Sequence, residues 1–148
     1  MLFRSAGDIN VWFPVAQLRN ASKNGDEETV RKMLDQGVDP NMRDCRGRTP
    51  LWWSAWMGFA SITDLLLKRD KSVLNEPDID GRTPLHEAAK KGHKTIVELL
   101  LNTDGIDPEL VDYTRLTAQA LASINRNVEI VHILRDHVRS KTIPAHER

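Results

Sequence analysis

The chain has 148 residues, 40% of them apolar and 28% charged, and its 21 basic side chains are balanced by 21 acidic ones. That length suits one domain with a modest core, and the cancelled charge removes the global field that draws proteins to nucleic acid or to an anionic membrane surface. Cys45 is the single cysteine, which excludes an internal disulfide framework and a multi-thiolate zinc site, and no apolar run approaches the ~18 residues of a membrane span, so the chain reads as soluble and not membrane-inserted.

Residues 1–14 read as a leader. The opening "MLFRS" is what the codon string GTG CTC TTC CGA TCT encodes, the end of a common sequencing adapter, which points to a truncated or artefactual start, in which case any upstream domain lies outside this sequence. The alternative is an ordinary leader in which Trp12 and Phe13 cover the first structured unit and Pro14 opens its helix. The order of a secretory signal, basic then apolar then small, is missing here.

From residue 15 onward the chain repeats itself. Asp44, Asp78 and Asp112 stand 34 residues apart, as do Thr49, Thr83 and Thr117, and Leu51 with Leu85, Ala55 with Ala89 and Gly58 with Gly92 keep the same step. The units run over about 15–43, 44–77, 78–111 and 112–139, followed by a polar tail over 140–148. In the first unit Leu18, Gly25, Val30 and Leu34 fall one residue short of the step.

Each unit carries the same local instructions. Asp-x-x-Gly-Arg-Thr-Pro places Gly47 and Gly81 where a tight turn needs positive φ, giving a short hairpin-like loop. Thr49 and Thr83 then act as N-caps, with Pro50 and Pro84 as first helical residues. Leu85, Ala88 and Ala89 supply an apolar face at i, i+3, i+4, and Gly58 and Gly92 end these short helices. A second helix follows, from about His93 to Asn102 in the third unit, with Ile96, Val97, Leu99, Leu100 and Leu101 too apolar to be left in water. Neither helix buries its face alone, so the units must stack, which is the logic of an all-α solenoid.

The last unit departs from the pattern, with Arg115 for the turn glycine, Ala118 for the proline, Gln119 for the core leucine and Arg126 for the helix-ending glycine. A relaxed terminal cap accounts for this. If φ stays positive at the two arginines, each lost glycine costs about 1 kcal/mol.

Thr83-Pro84-Leu85-His86-Glu87-Ala88 and its neighbours resemble the ankyrin repeat family, over roughly residues 15 to 138. The stretches "GRTPLWW" and "LLNTDGIDPEL" resemble ankyrin arrays of fungal proteins. The resemblance implies helix-turn-helix pairs with hairpin-like loops, and it implies a structural role for His86, whose ring ties the turn to the helix through Thr83. It also implies an intracellular, non-enzymatic scaffold or adaptor, in the cytoplasm with the nucleus as alternative, acting as a monomer on another protein and requiring no cofactor. Two further roles belong to the same resemblance: a regulatory or targeting segment of a larger signalling enzyme, and a kinase-inhibitor-like protein.

Chemical motifs do not compete with this reading. Glu76, Asp78 and Asp80 lack the ligand spacing of a calcium loop, His132 and His137 do not share a helix face, and no phosphate-binding glycine loop or nucleophile elbow occurs. Cys45 reads as a variable tip residue. Function is therefore expected at positions the stacking leaves free. At the loop tips these are Arg46 and Arg48, Ile79 and Arg82, and Tyr113; on the inner face of the first helices they are Trp53, Trp56 and Met57, then Glu87, Lys90 and Lys91, then Leu121 and Ile124. Trp53, Trp56 and Met57 occupy slots that are charged one unit later, and large apolar groups of this kind serve as anchors for a partner. The alternative is a self-packed tryptophan cluster. Trp52, in the slot of His86, is expected to pack inward.

Overall fold

A computed structural model describes the backbone of residues 6–142 and the side chains of residues 13–142. Among the described residues every regular element is an α-helix: α1 (Ala6–Asn24), α2 (Glu27–Asp35), α3 (Pro50–Met57), α4 (Ala60–Arg69), α5 (Pro84–Lys91), α6 (Lys94–Leu101), α7 (Ala118–Ile124) and α8 (Val128–Thr142). The helices pair as α1 with α2, α3 with α4, α5 with α6 and α7 with α8. The pairs stack, so that α1, α3, α5 and α7 form one row and α2, α4, α6 and α8 a second. One continuous core of small and branched side chains lies between the rows, running from Leu18 and Val30 through Leu51, Ile62 and Leu66, then Leu85, Ile96 and Leu100, to Ala122, Ile130 and Leu134. Alanines at 55, 88, 89 and 122 are fully buried and let adjacent helices approach closely.

The helix starts follow from the sequence. Thr49, Thr83 and Thr117 each cap a helix with the side-chain oxygen accepting from the backbone N–H three residues on. Pro50 and Pro84 fill the first helical position, where no N–H partner is lost.

The first-helix ends have a double cause. Gly58 and Gly92 close α3 and α5 in the left-handed region at φ 90° and 83°. A Cβ at Gly58 would also meet the His93 ring at 2.7 Å, and one at Gly92 the Asn127 amide at 3.1 Å. Phe59, His93 and Asn127, one step apart, lie over the closing glycine of the preceding unit. His93 Nε2 donates to the Trp56 carbonyl at 3.0 Å and Asn127 Nδ2 to the Ala89 carbonyl at 2.9 Å, so both lids also take up carbonyls at a first-helix end. Arg126 keeps the positive φ, 61°, without a glycine.

The N-terminal boundary differs from expectation. α1 begins at Ala6, so Pro14 lies inside the helix instead of opening it; the cost is one missing i→i−4 bond. Phe13 points to solvent and does not cover the first unit. The side chain of Trp12, residues 1–5 and the tail from 143 onward lie outside the described residues, and α8 carries the helix through Thr142.

Candidate functional site

The loop tips share one construction. Asp44 Oδ1 accepts from the N–H groups of Arg46 and Arg48, Asp78 Oδ1 from those of Asp80 and Arg82, and Asp112 Oδ1 from those of Thr114 and Leu116, all at 2.8–3.0 Å. Each aspartate thus closes its own turn. Burial would raise the Asp112 carboxyl, but donors from Thr114, Leu116 and Arg82 outweigh it and hold the group at about 2. At Asp44 burial is likewise outweighed, by the Arg48 N–H, the Trp53 indole and the Arg46 N–H, and the carboxyl lies below its usual range.

Neighbouring tips are tied together. Ile79 N–H donates to the Arg46 carbonyl and Tyr113 N–H to the Asp80 carbonyl. Arg48 Nε reaches 3.8 Å from Asp78 Oδ2, and Arg82 Nε 3.3 Å from Asp112 Oδ2. Arg48 and Arg82, expected as free tip contacts, are instead half-buried links between units, because each stands one unit before a buried carboxylate. Arg46 is exposed with Asp80 at 3.5 Å, while Ile79 is 50% and Tyr113 74% exposed. Val111, also exposed, was not singled out from sequence; the slot holds Arg43 and Pro77 in earlier units, so no repeated signal marked it.

His86 occupies its structural position. Thr83 N–H donates to Nδ1 at 3.1 Å, which places the ring proton on Nε2, and Nε2 donates to the Leu116 carbonyl of the next unit at 3.1 Å. Burial holds the imidazole below its ordinary value, so it stays neutral. One unit earlier the slot holds Trp52, buried as expected, with the Arg48 guanidinium 4.2 Å from its ring and no partner for its indole N–H among the described residues.

The inner face divides by slot. In each unit from the second onward, the first of the three expected positions is buried: Trp53, Glu87 and Leu121. These side chains are enclosed within the fold. Trp53 donates its indole N–H to Asp44 Oδ2 at 3.0 Å and lies beneath Lys23 Nζ at 4.5 Å. Glu87 lies 3.7 Å from Arg82 Nη1. Its carboxyl is pushed up by burial, which outweighs the opposing pull of Lys90 and Arg82. Charge made Glu87 look like a surface residue, but its slot is interior.

The second and third positions reach the surface. Trp56 is half-buried, stacked on Trp52 at 5.7 Å and edge-on to Trp53 at 5.6 Å, with Lys91 Nζ 5.0 Å above its ring. Met57 is 39% exposed, Lys90 half-buried, Lys91 exposed and Ile124 64% exposed. The packing of the tryptophans on one another is thus present, with Trp52 and Trp53 as a buried floor and Trp56, half-buried, standing on it.

Other chemistry is sparse. Cys45 is exposed, and among the described residues no group of three or more His, Cys, Asp or Glu side chains is placed to hold a metal. A cavity of about 540 Å³ lies between α1 and the loop after α2, lined by Pro14, Val15, Val38 and Met42, away from the inner face. Among the described residues no helix is long and apolar enough to cross a membrane.

Stacked helix pairs, aspartate-closed tips and a first-helix row with free surface positions define a helical repeat solenoid. The family model "Ankyrin repeats (3 copies)" matches residues 18–112. The chain belongs to the ankyrin repeat family, whose members are generally non-catalytic protein-interaction modules. It is 44% identical over 52 residues to cyclin-dependent kinase 4 inhibitor B of Bos taurus, a match covering 35% of this chain and 39% of that one. It is 35% identical over 57 residues to serine/threonine-protein kinase 12 of Arabidopsis thaliana, covering 38% of this chain and 12% of that one. The chain thus spans well under half the length of either relative.

Proposed function

We propose that the chain is a non-catalytic scaffold or adaptor module that binds a partner protein across the exposed side of α3, α5 and α7 and the adjoining tips. The observation that carries this reading is that, of the seven large apolar side chains exposed among the described residues, Met57, Ile79, Tyr113 and Ile124 lie on the first helices and tips, with half-buried Trp56 beside them. Aromatic and large apolar groups held rigidly at a surface are the usual energetic anchors of an interface. Trp56 needs little ordering on binding because Trp52 and Trp53 already fix its ring. The partner is a protein, not nucleic acid, and the module acts as a monomer.

Affinity capture from source lysate tests this. Trp56→Ala combined with Lys90→Glu is expected to lose the captured partner while the helical circular dichroism stays at the wild-type level. Trp53→Ala is the structural control and is expected to lower the melting temperature. Capture that survives the surface changes refutes the reading.

A second reading makes the module a kinase regulator, or a regulatory segment of a kinase-containing protein; the similarity to a kinase inhibitor and to a kinase favours it. A kinase co-purifying with the wild-type chain, or an in-frame kinase domain in the flanking genomic sequence, supports that narrower role.

A further inference from the structure

The inner-face slots that reach the surface recur one per helix pair: Lys23 on α1 and Ile124 on α7, both exposed, and Trp56 on α3 and Lys90 on α5, both half-buried. These rungs alternate cation, aromatic, cation, aliphatic. The charge of this face is one-sided. Asp44, Asp78 and Asp112 are committed to their own turns and Glu87 is buried, whereas Lys23 and Lys91 lie over tryptophan rings and Lys90 is half-buried. A chain with zero net charge therefore presents a basic inner face.

Spacing adds a second constraint. Packed helices stand about 8–10 Å apart, so successive rungs repeat at about that distance. A β-strand advances about 3.3 Å per residue but turns every third side chain to the opposite side. A polyproline II segment advances about 3.1 Å per residue with three residues per turn, so every third side chain faces the same way at about 9 Å intervals. Its period matches these rungs.

We infer that the partner lays an extended, polyproline II-type segment across α1, α3, α5 and α7, with acidic and apolar side chains alternating at every third residue. The acids meet Lys23 and Lys90, and the apolar groups meet Trp56 and Ile124. This rests on the partner-binding reading above and supplies the chemistry and register of that same face.

The test uses labelled synthetic peptides and fluorescence anisotropy on the full chain. The probe is Glu-x-x-Leu-x-x-Glu-x-x-Leu, run in both sequence directions with proline among the spacers. Its control has the same composition with the acidic and apolar residues at every second position. The better direction of the probe is expected to bind ~10-fold or more tighter than the control, and to weaken as salt rises. Lys90→Glu is expected to cost ~10-fold, and replacing the matching peptide Glu by Lys to recover most of it. Lys90 lies at the surface, so this variant is read on a folded protein, confirmed by an unchanged melting temperature; Ile124→Ser gives an independent apolar arm.

Equal binding of the two spacings, no binding by either, loss of binding on adding proline, or tighter binding of a single-stranded oligonucleotide overturns the inference. If Trp56→Ala/Lys90→Glu abolishes capture of the native partner but the captured contact maps to a folded domain, the register falls and the partner-binding reading stands. If capture survives those changes, that reading falls as well.

Discussion

Arg115→Gly combined with Arg126→Gly is expected to stabilise the protein, although both changes delete large side chains. Both arginines sit in the left-handed region, at φ 67° and 61°, in slots that hold Gly47 and Gly81 or Gly58 and Gly92 in earlier units. A left-handed conformation costs an ordinary L-residue roughly 1–2 kcal/mol, while glycine gives back about 0.5–1 kcal/mol through its looser unfolded state. The net is about 0.5–1 kcal/mol per site. Both side chains are exposed, and the backbone bonds Arg115 N–H to the Asp112 carbonyl and Arg126 N–H to the Ser123 carbonyl do not depend on them. The two gains should therefore add to about 1–2 kcal/mol, a rise of roughly 3–6 °C in melting temperature for a chain of this size. Thermal melts followed by circular dichroism, with urea unfolding as a second measure, read the effect. The opposite changes calibrate it. Gly105→Ala, where a Cβ meets nothing within 4 Å, should cost only the same conformational net of about 0.5–1 kcal/mol. Gly58→Ala should cost about 2 kcal/mol or more, because its Cβ lands 2.7 Å from the His93 ring. A double glycine variant that melts at or below the wild-type temperature refutes the conformational argument.

Three other outcomes follow from the same geometry. His86→Ala removes the acceptor of the Thr83 N–H and the donor to Leu116 and leaves a void, and is expected to cost about 2–4 kcal/mol in urea unfolding. Asp112 is lowered from 3.8 to about 2, so its contribution is present above pH ~4 and is lost as pH falls through ~2; Asp112→Asn should lower stability at pH 7 and flatten the acid limb between those values. Glu87 is raised, so its contribution is full below its ordinary value of 4.5 and is lost as pH rises through the higher folded value. Glu87→Gln should then raise the melting temperature at pH 7, with the difference from wild type shrinking toward pH 4; a gap independent of pH would refute the desolvation account.

The fold was legible because its instructions are local and repeated. Thr-Pro starts, glycine stops and Asp-closed turns each act within a few residues, and the 34-residue step states them more than once. The role of His86 was readable for the same reason. What escaped the sequence depends on the neighbouring unit. Arg48 and Arg82 resemble exposed tip cations until Asp78 and Asp112 of the following units are seen beside them. Trp53, Glu87 and Leu121 share a buried slot, but their chemistries differ so widely that no hydrophobic period betrays it. Phe59, His93 and Asn127 share the lid over a glycine in the same concealed way. Pro14 misled as a helix start because α1 lacks the Thr-Pro arrangement that gives proline that meaning in α3 and α5.

A comparison of the fourth unit with those before it shows how stacking sets which residues are tolerated. In the inner units the closing glycine meets two demands, a positive φ and room for the lid side chain that follows one step later. At Arg126 the first demand persists without a glycine, at a cost of about 1 kcal/mol. Arg115 stands in the same relation to Gly81, whose added Cβ would strike the Tyr113 ring at 2.7 Å. Burial by the next unit thus separates a substitution that merely strains the backbone from one that blocks assembly. The same separation acts on the inner face: one slot is buried and holds Trp53, Glu87 and Leu121, while the slot three residues on is half-buried or exposed and holds Trp56, Lys90 and Ile124.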